Sequence, residues 1–211
     1  MSLRATNRKA HICTVSKKPH MYLKRNNELG ILGLYLGNYA RQLYLREISR
    51  LAGIPLKNTQ NAAHGLEKSA ILKSSRKGKN KYFSLNLDNI QTRLYLLQSE
   101  IYKTLLFLEK YPRLKTFLKD VPKVTIVAFG SFARFAAGKD SDLDLLIVSG
   151  ADEKLPFHLA PYKIHEIRMP EKSFIRAVEK QETLIKEIEE NHVILNNHSL
   201  YVNMMWEQYG K

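Results

Sequence analysis

One cysteine, Cys13, stands in 211 residues. That excludes an internal disulfide and any cysteine-based metal cluster, and it suits a reducing cytoplasm, the expected location. No apolar run approaches the roughly 18–20 residues that cross a bilayer, so no membrane partner is expected. The first residues are polar and basic without an apolar h-region, and they do not read as a secretory signal. The seven histidines lack metal-ligand spacing, and His165, His192 and His198 read as core or surface groups. No Ser-His-Asp or Cys-His arrangement points to a covalent nucleophile. Acidic residues are scarce in one half only. Up to residue 90 there are 4 Asp and Glu against 17 Lys and Arg, whereas the remainder carries 16 against 17. Nearly all of the net charge of +14 therefore lies in the first ninety residues, which makes a polyanion the expected partner of that half.

The pattern along the chain predicts an α+β protein in four parts. Residues 1–26 mix Arg and Lys with few apolar residues and no periodicity, as a basic arm would. Residues 27–88 predict three helices, "NELGILGLYLGNYA", a helix stopping before Pro55, and "LKNTQNAAHGLEKSAIL", then a hairpin turning at Lys77-Gly78-Lys79-Asn80. Residues 89–120 predict a long connector helix, interrupted at Pro112, with Leu94, Leu97, Ile101, Leu105 and Leu108 as its buried stripe. Its expected use is packing between two domains or between two chains, as in a homodimer. Residues 121–211 alternate strands and helices.

Three helices followed by a basic hairpin resemble a winged helix-turn-helix domain. The third helix would enter the major groove of duplex DNA through Lys57, Asn58, Thr59, Gln60 and Asn61, with amide side chains suited to adenine edges. Lys73, Arg76, Lys77, Lys79 and Lys81 on the wing would meet phosphates, which adds affinity without sequence choice. The alternative use of such a module is contact with another protein.

The segment "VTIVAFGSFARFAAGKDSDLDLLIV" carries the chemistry. An apolar strand ends at Gly130-Ser131, a short helix follows to about Ala137, and a second apolar strand starts at Asp142. A Gly-Ser turn before a helix offers backbone N–H groups and a hydroxyl to an anion. Asp142 and Asp144, two apart on a strand, share a face. Two close carboxylates repel unless a cation lies between them, and Mg²⁺ takes such oxygens together with substrate phosphates.

In this register the segment resembles the nucleotidyltransferase superfamily typified by DNA polymerase beta, and particularly its small prokaryotic members, whose signature is G-S-x-A-R-G-x-A-x-x-x-S-D-[IL]-D. Gly130, Ser131, Ala133, Arg134, Ala136, Ser141, Asp142, Leu143 and Asp144 match it; Phe135 stands where the signature has glycine. The resemblance implies a C-terminal nucleotidyltransferase fold, a mixed sheet flanked by helices. It implies that Gly130 and Ser131, with Arg134 and Ser141 nearby, hold a nucleoside triphosphate. Asp142 and Asp144 would bind two Mg²⁺ ions, and a third acid would come from a following strand. On "YKIHEIRM" that acid is Glu166, unless Lys163 or His165 takes the inward position.

Two functions follow from these readings. In the first, an Mg²⁺-dependent nucleotidyltransferase moves a nucleoside monophosphate from a triphosphate to a hydroxyl acceptor while its N-terminal module holds nucleic acid. In the second, a DNA-binding regulator or antitoxin-like protein carries a nucleotidyltransferase domain that senses nucleotide or is inactive.

Overall fold

The computed structural model describes residues 26–150 and 153–210, so nearly all of the expected basic arm lies outside the described residues. Helix α1 spans Asn27–Leu32, capped by the Asn26 side chain, which accepts from Leu29 N at 3.1 Å. The periodicity of "NELGILGLYLGNYA" predicts a longer helix. The chain instead leaves the helix at Gly33 and runs through turns that still bury Tyr35, Leu36 and Tyr39. One reason is Gly37: a Cβ there would lie 2.9 Å from the carbonyl oxygen of Glu190, a backbone approach open to glycine alone.

Strand β1 (Leu43–Tyr44) leads into α2 (Leu45–Ala52), which ends on Gly53 in the left-handed conformation. Pro55 starts α3 (Leu56–Lys68). Strands β2 (Leu72–Lys77) and β3 (Asn80–Leu85) form the expected hairpin, with Gly78 at φ +60°, and β1 pairs on the far side of β3. Asn89 caps α4 (Ile90–Lys110), and α5 (Leu114–Lys119) follows Pro112.

The buried face of α4 is not the predicted stripe. Leu94, Ile101 and Leu105 are exposed, whereas Thr92, Leu96, Ser99, Glu100, Thr104 and Phe107 are buried. The polar members of that face point inward because each finds a partner there. Thr92 donates to Asn86 O, Ser99 to Leu29 O and Thr104 to Ile194 O, while Glu100 pairs with His192.

The C-terminal part runs β4 (Thr125–Phe129), α6 (Gly130–Ala133), β5 (Leu143–Val148), a 3-10 turn at Phe157–Leu159, β6 (Ile164–Met169), α7 (Glu171–Glu179), α8 (Thr183–Glu190), β7 (Val193–Asn196) and α9 (His198–Tyr209). The sheet order is β6-β5-β4-β7; β4 is antiparallel to β5 and β7, and β5 is parallel to β6. This is the mixed sheet with flanking helices that the resemblance implies. Alternation divides the sheet between two cores. Val127, Phe129, Leu146 and Val148 join Phe174, Ile185, Ile188 and Tyr201 in a cluster continuous with the buried residues of α1–α3. Ile126, Ala128, Leu143, Leu145 and Ile147 pack on the other face against Phe107, Leu114, Phe117 and Phe132. Among the described residues no helix is long and apolar enough to cross a membrane.

Candidate active site

Strand β4 ends at Phe129, whose register partner on β5 is Asp144. The next residue, Gly130, adopts φ +65°, and a Cβ on it would overlap Asp144 Oδ2 and lie 3.2 Å from Asp144 Cγ. Glycine is required here twice, for its backbone conformation and to leave room for the carboxylate. Asp142, one residue before β5, and Asp144 lie on the same face as Leu146 and Val148, and both are half-buried. Ser131 is half-buried on α6, and Arg134 is exposed at its end. Ser141 serves the loop itself: its Oγ accepts from Gly138 N at 2.9 Å and shapes the approach to Asp142.

Phe135, at the signature's glycine position, has φ +56°. The left-handed conformation explains why glycine suits that position. In this chain the ring packs edge-on against Phe107, and Lys110 lies over it while donating to Phe135 O.

Glu166 does not join the aspartates. The parallel register sets His165 beside Asp144 and Glu166 beside Leu145, so Glu166 projects from the opposite face, where Arg168 donates to it at 2.9 Å. The aspartates meet nitrogen side chains instead. Lys163 Nζ donates to Asp142 Oδ2 at 2.9 Å, and His165 Nδ1 lies 3.2 Å from Asp144 Oδ1. The bond to the Asp142 carboxylate holds the Lys163 ammonium above the usual lysine range. Among the described residues no group of three or more His, Cys, Asp or Glu side chains gathers as a metal site. The expected set of three acids for two ions is therefore not assembled. Asp142 and Asp144, two carboxylates on one strand face, are donors of the kind that Mg²⁺ takes.

The N-terminal residues divide as well. On α3, Lys57, Asn58 and Asn61 are exposed and Gln60 is half-buried. Thr59 is fully buried, its hydroxyl donating to the carbonyls of Ile54 and Pro55, and cannot reach a groove. On the hairpin, Arg76, Lys77 and Lys79 are exposed, and Lys73 lies 3.6 Å from Asp88. Lys81 is not free for phosphate: its ammonium donates to Glu67 Oε2 at 2.7 Å. The sequence signal for Glu67 is its position as an isolated acid in a basic stretch. It also accepts from Ser74, so it ties α3 to both hairpin strands. The bonds from Lys81, Ser74 and His64 lower its pKa to about 2 against the small opposing effect of burial.

Residues 112–204 match the family model of the nucleotidyltransferase domain. The matched span contains β4, the Gly130-Ser131 turn, both aspartates and β6, and ends within α9. The match supports the nucleotidyltransferase superfamily for this part of the chain, and with it transfer of a nucleotide group as the chemistry. The nucleotidyltransferase match leaves the three helices and the hairpin outside it. Comparison with curated proteins and with solved structures gives no match.

Proposed function

We propose that the protein is an Mg²⁺-dependent nucleotidyltransferase that moves a nucleoside monophosphate from a triphosphate to a hydroxyl acceptor, and that its N-terminal module is a winged helix that binds nucleic acid. The observation that carries the catalytic part is the contact of Gly130 with Asp144, which sets a turn without a side chain against a pair of carboxylates on one strand face. The acceptor oxygen would form a bond to the α-phosphorus, the bond to the bridging oxygen would break, pyrophosphate would leave, and the hydroxyl proton would pass to solvent. Bound Mg²⁺ would offset phosphate charge. Asp142 and Asp144 would hold it, giving up their bonds to Lys163 and His165. Lys163, released, would be free to bond a phosphate oxygen. Gly130 would let the triphosphate approach the backbone, with Ser131 and Arg134 beside it.

Nucleic acid would meet the exposed cations Lys57, Arg76, Lys77 and Lys79, together with Asn58 and Asn61. Neutralising Arg76 and Lys77 should weaken duplex binding and flatten its salt dependence.

A second reading has a specific observation in its favour. Lys163 and His165 already occupy the two aspartates, which suits a domain that binds nucleotide and reports on it without transferring it. Transfer of labelled nucleotide to a pool of RNA, protein and small-molecule acceptors, compared with calorimetry of triphosphate with Mg²⁺, separates the two. Transfer abolished by Asp142→Ala supports the first reading. Binding without transfer supports the second, and no triphosphate binding removes both.

A further inference from the structure

An open polar cleft of about 550 Å³ lies between the turn after α1 and the C-terminal end of α8. Asn38 and Arg41 line one wall, and Lys186, Glu189 and Tyr209 the other. The walls are fixed at a seam where Gly37 meets the carbonyls of Glu189 and Glu190. The cleft is remote in sequence from the residues of the aspartate site and shares none of them.

Two acids, Glu189 and Glu190, and two cations, Arg41 and Lys186, line it. Glu189 is 5% exposed; its Oε2 accepts from the Tyr209 hydroxyl at 3.3 Å, but its Oε1 is buried with no hydrogen-bond partner. Burial of this kind is costly unless a donor reaches the oxygen. Glu190 lines the same cleft, and the α8 C-terminus adds the negative end of a helix. Arg41, the cation on the opposite wall, already donates to Leu34 O. A second unpartnered group lies close by: the buried Tyr39 hydroxyl, in an adjoining cleft of about 270 Å³ that shares Tyr209.

We propose that this cleft binds a small organic amine whose protonated nitrogen donates to Glu189 Oε1, with the remainder of the molecule lying along Asn38 and Tyr209. Because the two walls belong to the N-terminal helices and to the nucleotidyltransferase half, an occupant bridges them and steadies their arrangement. The proposal does not depend on nucleotide transfer, and its test contains no nucleotide.

The full chain is titrated with putrescine, spermidine and L-lysine, with sodium chloride of equal ionic strength as reference, while the melting temperature is followed. At least one amine should raise Tm in a saturable way, and Glu189→Gln should weaken the response about tenfold or more, as loss of a charged hydrogen bond does. Glu166→Gln, on the far side of the sheet, should respond as the unaltered chain does. Should Glu189→Gln fail to fold, amide resonances supply the second measurement: the amine should shift those of Gly37, Asn38 and Asn191 in the unaltered protein. Saturation with shifts at these three residues supports the site. A flat response to all three amines, a response equalled by sodium chloride, or an undiminished response in Glu189→Gln overturns it.

Discussion

Gly130 and Asp144 occupy adjoining space so closely that the glycine hydrogen takes the place a Cβ would need beside the carboxylate. Gly130→Ala should therefore act on both the backbone and the site. The left-handed conformation costs an alanine about 1 kcal/mol, and relief of the overlap costs about 1–3 kcal/mol more. Urea denaturation should show a loss within that sum, and triphosphate binding should fall with it because Asp144 must turn away.

His165→Asp would supply the acid that β6 lacks on this face. The register sets residue 165 beside Asp144, so three carboxylates would converge where Lys163 now stands among two. Affinity for Mn²⁺, read by calorimetry or paramagnetic relaxation, should rise about tenfold or more. Glu166→Asp should leave it unchanged, since that side chain faces the other core.

Glu67 makes the attachment of the hairpin to α3 sensitive to acid. Its pKa is lowered to about 2, against an ordinary glutamate value near 4.5 in the unfolded chain. A depressed folded-state value stabilises fully above about pH 4.5, and the contribution disappears as pH falls toward 2. Stability measured from pH 7 to pH 3 should decline less steeply in Glu67→Gln than in the unaltered protein.

Glu100 and His192, both fully buried, bond at 2.7 Å between α4 and the start of β7. Burial alone would raise the Glu100 pKa, but the charge and hydrogen bond of His192, together with the charges of Lys103 and His198, outweigh it and hold the carboxyl below the usual range. Glu100→Ala should destabilise the fold by about 3–5 kcal/mol, seen in urea denaturation, because it strips the partner from a buried imidazole. His192→Ala should be similarly costly, and the double variant should cost less than the two single losses added.

Much of the architecture was legible before any coordinates. The alternation from Val124 to Val148, the break at Gly130-Ser131 and the spacing of Asp142 and Asp144 were readable because side-chain direction on a strand has a period of two residues. The hairpin turn at Gly78 and the helix boundaries at Pro55 and Pro112 were readable because glycine and proline act on their own backbone. The face of α4 was not. Leu94, Ile101 and Leu105 have the better apolar spacing, yet the partners of Thr92, Ser99, Glu100 and Thr104 come from residues as many as 94 positions away, and those polar side chains turn inward. The end of α1 is not legible for the same reason, since Gly37 answers to the α8 backbone and not to its own neighbours.

By itself, then, the sequence determined the order of elements and the pair of aspartates following a Gly-Ser turn, because local periodicity and backbone chemistry decide those. Tertiary structure alone decided what stands around them. The parallel pairing of β5 with β6 sets His165 rather than Glu166 beside Asp144 and brings Lys163 to Asp142, while in the N-terminal module the local packing engages Thr59 with Ile54 and Pro55 and Lys81 with Glu67. A shift of one residue in that pairing would reverse which side chain of β6 faces the aspartates, and strand register is set by the packing of both sheet faces at once.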